Sequence, residues 1–82
     1  MKEKENEAIL KTEVYNRELK GKVCKRKNIY PEQKFEILCI THDKDETNNY
    51  FHMVTLNPLS AMIGTVFIRI ESFLSGLEYE LL

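Results

Sequence analysis

The texture of the chain changes once, at Gly21, and that change decides most of what it can fold into. Residues 4–20, KENEAILKTEVYNRELK, hold no Gly or Pro and are rich in helix formers. Everything after Gly21 falls into short apolar runs divided by Asn, Asp, Pro and Gly. The expected order is one helix of about three to four turns, then a small sheet or barrel, in a single α+β domain over residues 1–82 (helix 4–20, β part 21–82). Asn6 is a candidate N-cap and Gly21 a candidate stop. Leu10 and Val14, with Ile9, Tyr15 and Leu19 at the margins, share a narrow face predicted to pack inward beneath a charged exterior.

Five strands follow from period-two alternation. GKVCKRK at 21–27 carries basic residues around Val23 and Cys24 and reads as a strand exposed on one side or along an edge, followed by a loop at 28–33 containing Pro31. KFEILCITH at 34–42 puts Phe35, Ile37 and Cys39 on one face and Leu38 and Ile40 on the other, so it is the predicted centre of the sheet. DKDETNN at 43–49 is a polar hairpin turn, and YFHMVTL at 50–56 returns antiparallel. NPLSAMIG at 57–64 reads as a long connection, TVFIRIE at 65–71 as a strand, SFLSG at 72–76 as one turn of 3₁₀ helix, and LEYELL at 77–82 as the last strand.

At 82 residues with net charge −1, the chain is too small for an interdomain cleft and too balanced for a histone-like polycation. The charged start is followed by only three apolar residues, Ala8 to Leu10, so no signal-peptide core is expected. The long nearly uncharged run at 48–68 is broken by Asn48, Asn49, His52, Asn57, Pro58 and Gly64. A soluble cytoplasmic protein with no membrane partner is expected. Cys24 and Cys39 are predicted to be buried, reduced thiols, fitting neither a disulfide framework nor a zinc site.

The stretch KFEILCITHDKDETNNYFHMVTL, followed by GTVFIRIESFL and EYEL, resembles the small SH3-like β-barrel proteins of bacteria and phages. Those proteins carry a Tyr-Glu-Val-Leu strand with a nearby Thr-His, a polar turn, a returning strand, and a Phe-Leu turn before a final Tyr-Glu-Leu strand. The resemblance covers about residues 21–82 and rests on packing and turn positions, Glu36, His42, Arg69, Phe73 and Leu74 among them. NPLSAMIG departs from it, standing where those proteins have a tighter polar hairpin. The resemblance implies a five-stranded, partly open antiparallel SH3-like barrel and a bacterial or phage source. It brings no catalytic residue.

Motifs for chemistry are sparse. His42, Asp43, Asp45, Glu46 and His52 lie close enough for a metal if His42 and His52 pair across the hairpin, but a solvated turn explains the same residues and no metal is expected. The Asp43 and Asp45 spacing fails as a calcium loop, because Asn48 stands where Gly is required and Val54 where the closing Glu is. Three glycines supply neither a nucleophile elbow nor a phosphate loop. Glu78 and Glu80 share a strand face and fit an exposed edge better than a glycosidic acid pair. The expectation is a protein without catalysis and without a cofactor.

Charge layout says more. Residues 20–34 hold six basic and one acidic side chain, net +5, and residues 35–82 hold two basic and seven acidic, net −5. Two surfaces follow. In the first, Leu59, Met62 and Ile63 anchor a partner protein, with Asp43, Asp45, Glu78 and Glu80 meeting its basic residues. This is the leading expectation: a binding module, of the kind a phage uses as inhibitor or adaptor on the basic groove of a host nucleic-acid enzyme, with homodimerisation using the same surface. The alternative is nucleic-acid binding through Lys20, Lys22, Lys25, Arg26, Lys27 and Lys34, with Tyr30 stacking a base. Those same lysines also serve an edge strand as protection against aggregation.

Overall fold

The computed structural model describes residues 2–59 and 64–82. Helix α1 (Lys2–Leu19) is followed by β1 (Val23–Arg26), β2 (Lys34–Lys44), β3 (Tyr50–Pro58), β4 (Val66–Arg69), the one-turn helix α2 (Ile70–Leu74) and β5 (Tyr79–Leu81). The strands form one antiparallel sheet in the order β4-β3-β2-β1-β5, with β4 and β5 as its edges, so it does not close on itself. This is the α+β architecture expected, with the predicted central strand in the centre.

Four local expectations are corrected. The basic strand β1 is not an edge: it pairs with β2 on one side and β5 on the other, so its lysines do not guard an open strand. Asn6 does not cap α1, which begins at Lys2 with Glu3 and Glu5 in its first turn, where carboxylates favour the positive end of the helix dipole. Residues 72–76 do not form a 3₁₀ turn. The chain leaves β4 at Arg69, so the predicted strand to 71 ends early, and Ile70–Leu74 make an α-helical turn in which Ser75 N–H donates to Glu71 O at 3.0 Å.

The inward face of α1 also differs. Ala8 and Leu19 are buried and Thr12, Tyr15 and Asn16 half-buried, while Leu10, Val14 and Ile9 stay exposed. The cause is hydrogen bonding. On β2, β1 reaches only Lys34–Glu36, and among the described residues no other strand borders the rest of β2 on that side. Gly21, at φ +86° after the helix end, donates its N–H to Ile37 O at 2.8 Å, and Ile37 N–H returns to Lys22 O at 2.9 Å. Beyond that point the Asn16 side chain takes over, accepting from Ile40 N–H and donating to Ile40 O, both at 2.8 Å. One carboxamide thus stands in for a neighbouring strand, and the helix is oriented by that need rather than by its aliphatic residues.

In β2 the pairing runs Ile37 with Leu56 and then Cys39 with Thr55, so Leu38 is the extra residue of a β-bulge. The bulge reverses the alternation: Phe35, Ile37 and Ile40 all point inward, Cys39 turns outward and is half-buried, and Leu38 is exposed. Cys24 is fully buried, which pushes its thiol pKa up to about 11, and both cysteines are free. The core joins Leu19, Cys24, Phe35, Ile37, Ile40, Val54, Leu56, Ile70, Phe73 and Tyr79. The Tyr79 ring lies edge-on to Phe35 at 5.6 Å and against Phe73 at 6.0 Å, so the last strand is anchored through aromatic contacts.

Candidate interaction surfaces

The hairpin histidines face each other directly, His42 opposite His52, as the sequence allowed. Thr12 Oγ1 lies 3.0 Å from His42 Nδ1 and 3.1 Å from His52 Nε2, and itself donates to Ala8 O at 2.8 Å. His52, only 6% exposed, also reaches Ala8 O with Nε2 at 3.1 Å and meets the Tyr15 ring edge-on at 5.3 Å. Both imidazoles are engaged in fastening α1 to β2 and β3. Among the described residues no group of three or more His, Cys, Asp or Glu side chains is placed to hold a metal, and no helix is long and apolar enough to cross a membrane.

One acid of the hairpin, Asp45, serves the turn. Asp45 Oδ1 accepts from Thr47 N–H at 2.9 Å, Thr47 Oγ1 at 2.8 Å and Asn49 N–H at 2.9 Å, and Asn48 adopts φ +62° beside it. The Asn49 and Thr47 hydrogen bonds hold the Asp45 carboxyl below its ordinary range. Asp43 is exposed at the same end of β2. Leu59 lies at the other end, its N–H donating to Lys34 O at 2.9 Å. At about 3.4 Å per residue, the length of β2 separates Asp43 and Asp45 from Leu59 by roughly 30 Å, and these residues do not form one surface. Met62 and Ile63 lie outside the described residues.

The basic segment is gathered more closely. Lys25, Arg26, Lys27, Asn28, Ile29 and Tyr30 line an open cleft of about 490 Å³, which Glu32 and Glu80 complete. Tyr30 is 98% exposed. Two carboxylates temper the charge: Lys25 Nζ sits 3.2 Å from Glu80 and 3.5 Å from Glu32, and Lys34 Nζ 3.9 Å from Glu32. The Glu80 hydrogen bond and charge, with Glu32 behind them, raise the Lys25 pKa. Arg26 and Lys27 are the cations of this cleft with no carboxylate partner among the described residues. Lys20 and Lys22 flank it in sequence from the turn after α1.

Sequence reasoning missed a third surface, around α2 and β5. Leu74, Leu77, Leu81 and Leu82 are all exposed, Leu77 by 80%, although each falls where a strand or turn needs no special explanation. Phe73, Leu74, Gly76, Tyr79, Glu80 and Leu81 line a shallow apolar cleft of about 200 Å³ beside the edge strand β5. Glu71 and Glu78 line the adjoining hollow with Leu77. Here the predicted acids Glu78 and Glu80 do meet apolar side chains, though not the ones expected. The available signal was density: four leucines between Leu74 and Leu82, interleaved with Glu78 and Glu80.

Comparison with family models, with curated proteins and with solved structures finds no match to this chain.

Proposed function

We propose that the chain is a non-catalytic protein-binding module built on a small SH3-like barrel, and that it works through the α2–β5 edge. The fold reading is supported by the strand order β4-β3-β2-β1-β5 and by the single helical turn that carries the chain from β4 to β5. The observation that carries the functional reading is the run of exposed leucines, Leu74, Leu77, Leu81 and Leu82, along an unpaired sheet edge with Glu78 and Glu80 beside them. Exposed leucines grouped around an open strand edge, with the carboxylates of Glu71 and Glu78 beside them, suit a partner that offers an apolar ridge flanked by basic residues. A groove on a nucleic-acid enzyme is one protein surface of that chemistry.

The test is capture of partners by the tagged chain, with nuclease treatment, at low and high salt. A protein retained at high salt by the wild type and released by Leu77→Asp or Leu81→Asp supports the reading. Retention that ignores both substitutions sinks it.

A second reading rests on the cleft at Lys25–Tyr30, where a fully exposed phenol ring stands beside Arg26 and Lys27. Such a cleft suits a single nucleotide base stacked on Tyr30 with phosphate against the two cations. Binding of an oligonucleotide there is steeply salt-dependent and falls with Arg26→Glu and Lys27→Glu, whereas the leucine edge responds to neither.

A further inference from the structure

Helix α1 carries a second line of side chains that the fold does not use. Glu3, Glu7, Leu10, Val14 and Arg17 recur at alternating spacings of four and three, the period at which side chains form a seam between two packed helices. The inner line, Ala8, Thr12, Tyr15 and Leu19, has the same spacing and is committed to the sheet. On the outer line Leu10 is 61% and Val14 41% exposed. With Glu7, Lys11 and Tyr15 they border an apolar surface groove of about 280 Å³.

We propose that this outer seam docks antiparallel on the same seam of a second copy of the chain. The charge sequence selects both occupant and orientation. With a two-fold axis at the level of Thr12, Leu10 lies opposite Val14 of the second copy and Glu7 opposite its Arg17, and the reverse holds across the axis. Leu10 then meets Val14 and Glu7 meets Arg17, while Glu3 falls opposite position 21, beyond the end of the second helix. Parallel pairing would set Glu7 against Glu7 and Arg17 against Arg17. Glu7 now pairs with Lys11 at 3.4 Å, but that contact is between two exposed side chains and yields easily to a better partner.

The seam is short. A helix of 18 residues spans about 27 Å, and such a pair buries less than the ~1,200 Å² of a standard stable interface. Association is therefore of the weak, concentration-dependent class. The proposal is independent of the α2–β5 edge.

Sedimentation velocity on the full chain, from about 5 to about 500 µM, tests it. The wild type moves from monomer to dimer over this range. Leu10→Glu, at a position already exposed in the monomer, stays folded by circular dichroism and monomeric throughout. Glu7→Arg and Arg17→Glu each weaken the dimer about 5–10-fold by turning attraction into repulsion, and the two together restore it to within about 3-fold. A wild type that remains monomeric overturns the proposal. So does a dimer indifferent to Leu10→Glu, or a double variant no better than the single ones. A dimer lost only with Leu77→Asp assigns self-association to the α2–β5 edge and overturns it equally.

Discussion

Where α1 crosses the β2–β3 hairpin, the contacts that set its position are hydrogen bonds: Asn16 on both backbone groups of Ile40, and Thr12 and Ala8 on the two histidines. At the other end of the sheet, where α2 and β5 join the core, the contacts are rings, with Tyr79 between Phe35 and Phe73. The polar end contributes direction, because a carboxamide or imidazole accepts only a narrow set of geometries. The aromatic end contributes buried apolar area, a stabilisation that has no single required direction. The difference shows outside as well. The polar end needs few aliphatic side chains beneath α1 and leaves Leu10 and Val14 on its outer side, and the aromatic end leaves its leucines around an open strand edge.

Substitutions at the two ends put this contrast at risk in graded steps. Phe35→Ala, at a fully buried position between β1 and Tyr79, costs about 3–5 kcal/mol, most of what a domain this small has, and denaturant titration should find the chain largely unfolded. Asn16→Ala removes the one side chain among the described residues bonded to Ile40 N–H and O and costs about 2–3 kcal/mol by the same measurement. A larger loss for Asn16 than for Phe35 would reverse the ranking of the two ends. Thr12→Val keeps the shape but deprives His42 Nδ1 of its partner, for about 1 kcal/mol, while His52 retains Ala8 O. Nuclear magnetic resonance should then show shifts in the α1 and hairpin amides and none around Tyr79.

The smallest effect concerns acid. The Asp45 carboxyl is held below its ordinary value of 3.8, so the stability it gives the hairpin is present above that value and is lost as pH falls through the lowered one. Asp45→Asn should remove this contribution from the acid limb of a stability-against-pH curve and leave the curve near neutrality parallel to the wild type. An unchanged acid limb would mean that the turn holds without the carboxylate.

Most of the sheet was legible in the sequence because its signals are local. DKDETNN supplied the turn, and the alternation around Val54 and Val66 supplied the strands. The bulge at Leu38 was hidden, since Ile37, Leu38, Cys39 and Ile40 are all apolar and no polar residue marks which way each points. The inward face of α1 was hidden for the opposite reason: the residues that dock it, Thr12 and Asn16, look like surface residues until the open side of β2 gives them partners. Of the candidate sites, the Lys25–Tyr30 cleft was legible because most of its lining is one continuous segment, the end of β1 and the loop after it. The pairing of Lys25 with Glu80 was not, since it depends on β5 returning beside β1 across more than fifty residues of sequence. Leu74, Leu77 and Leu81 were visible individually, but their common exposure follows from β5 being an edge, which only the completed topology defines.

Leu38 also sets how this protein tolerates changes in its own length. Removing that one residue would leave Ile37 beside Cys39 in regular register with Leu56 and Thr55, every side chain of β2 keeping the face it has now. Removing Ile37, Cys39 or Ile40 instead would take out a paired residue and leave Leu38 to fill its place or turn the strand over. In the history of such a gene, codon 38 is the place within this strand where a single-codon gain or loss could pass with the inward pattern intact.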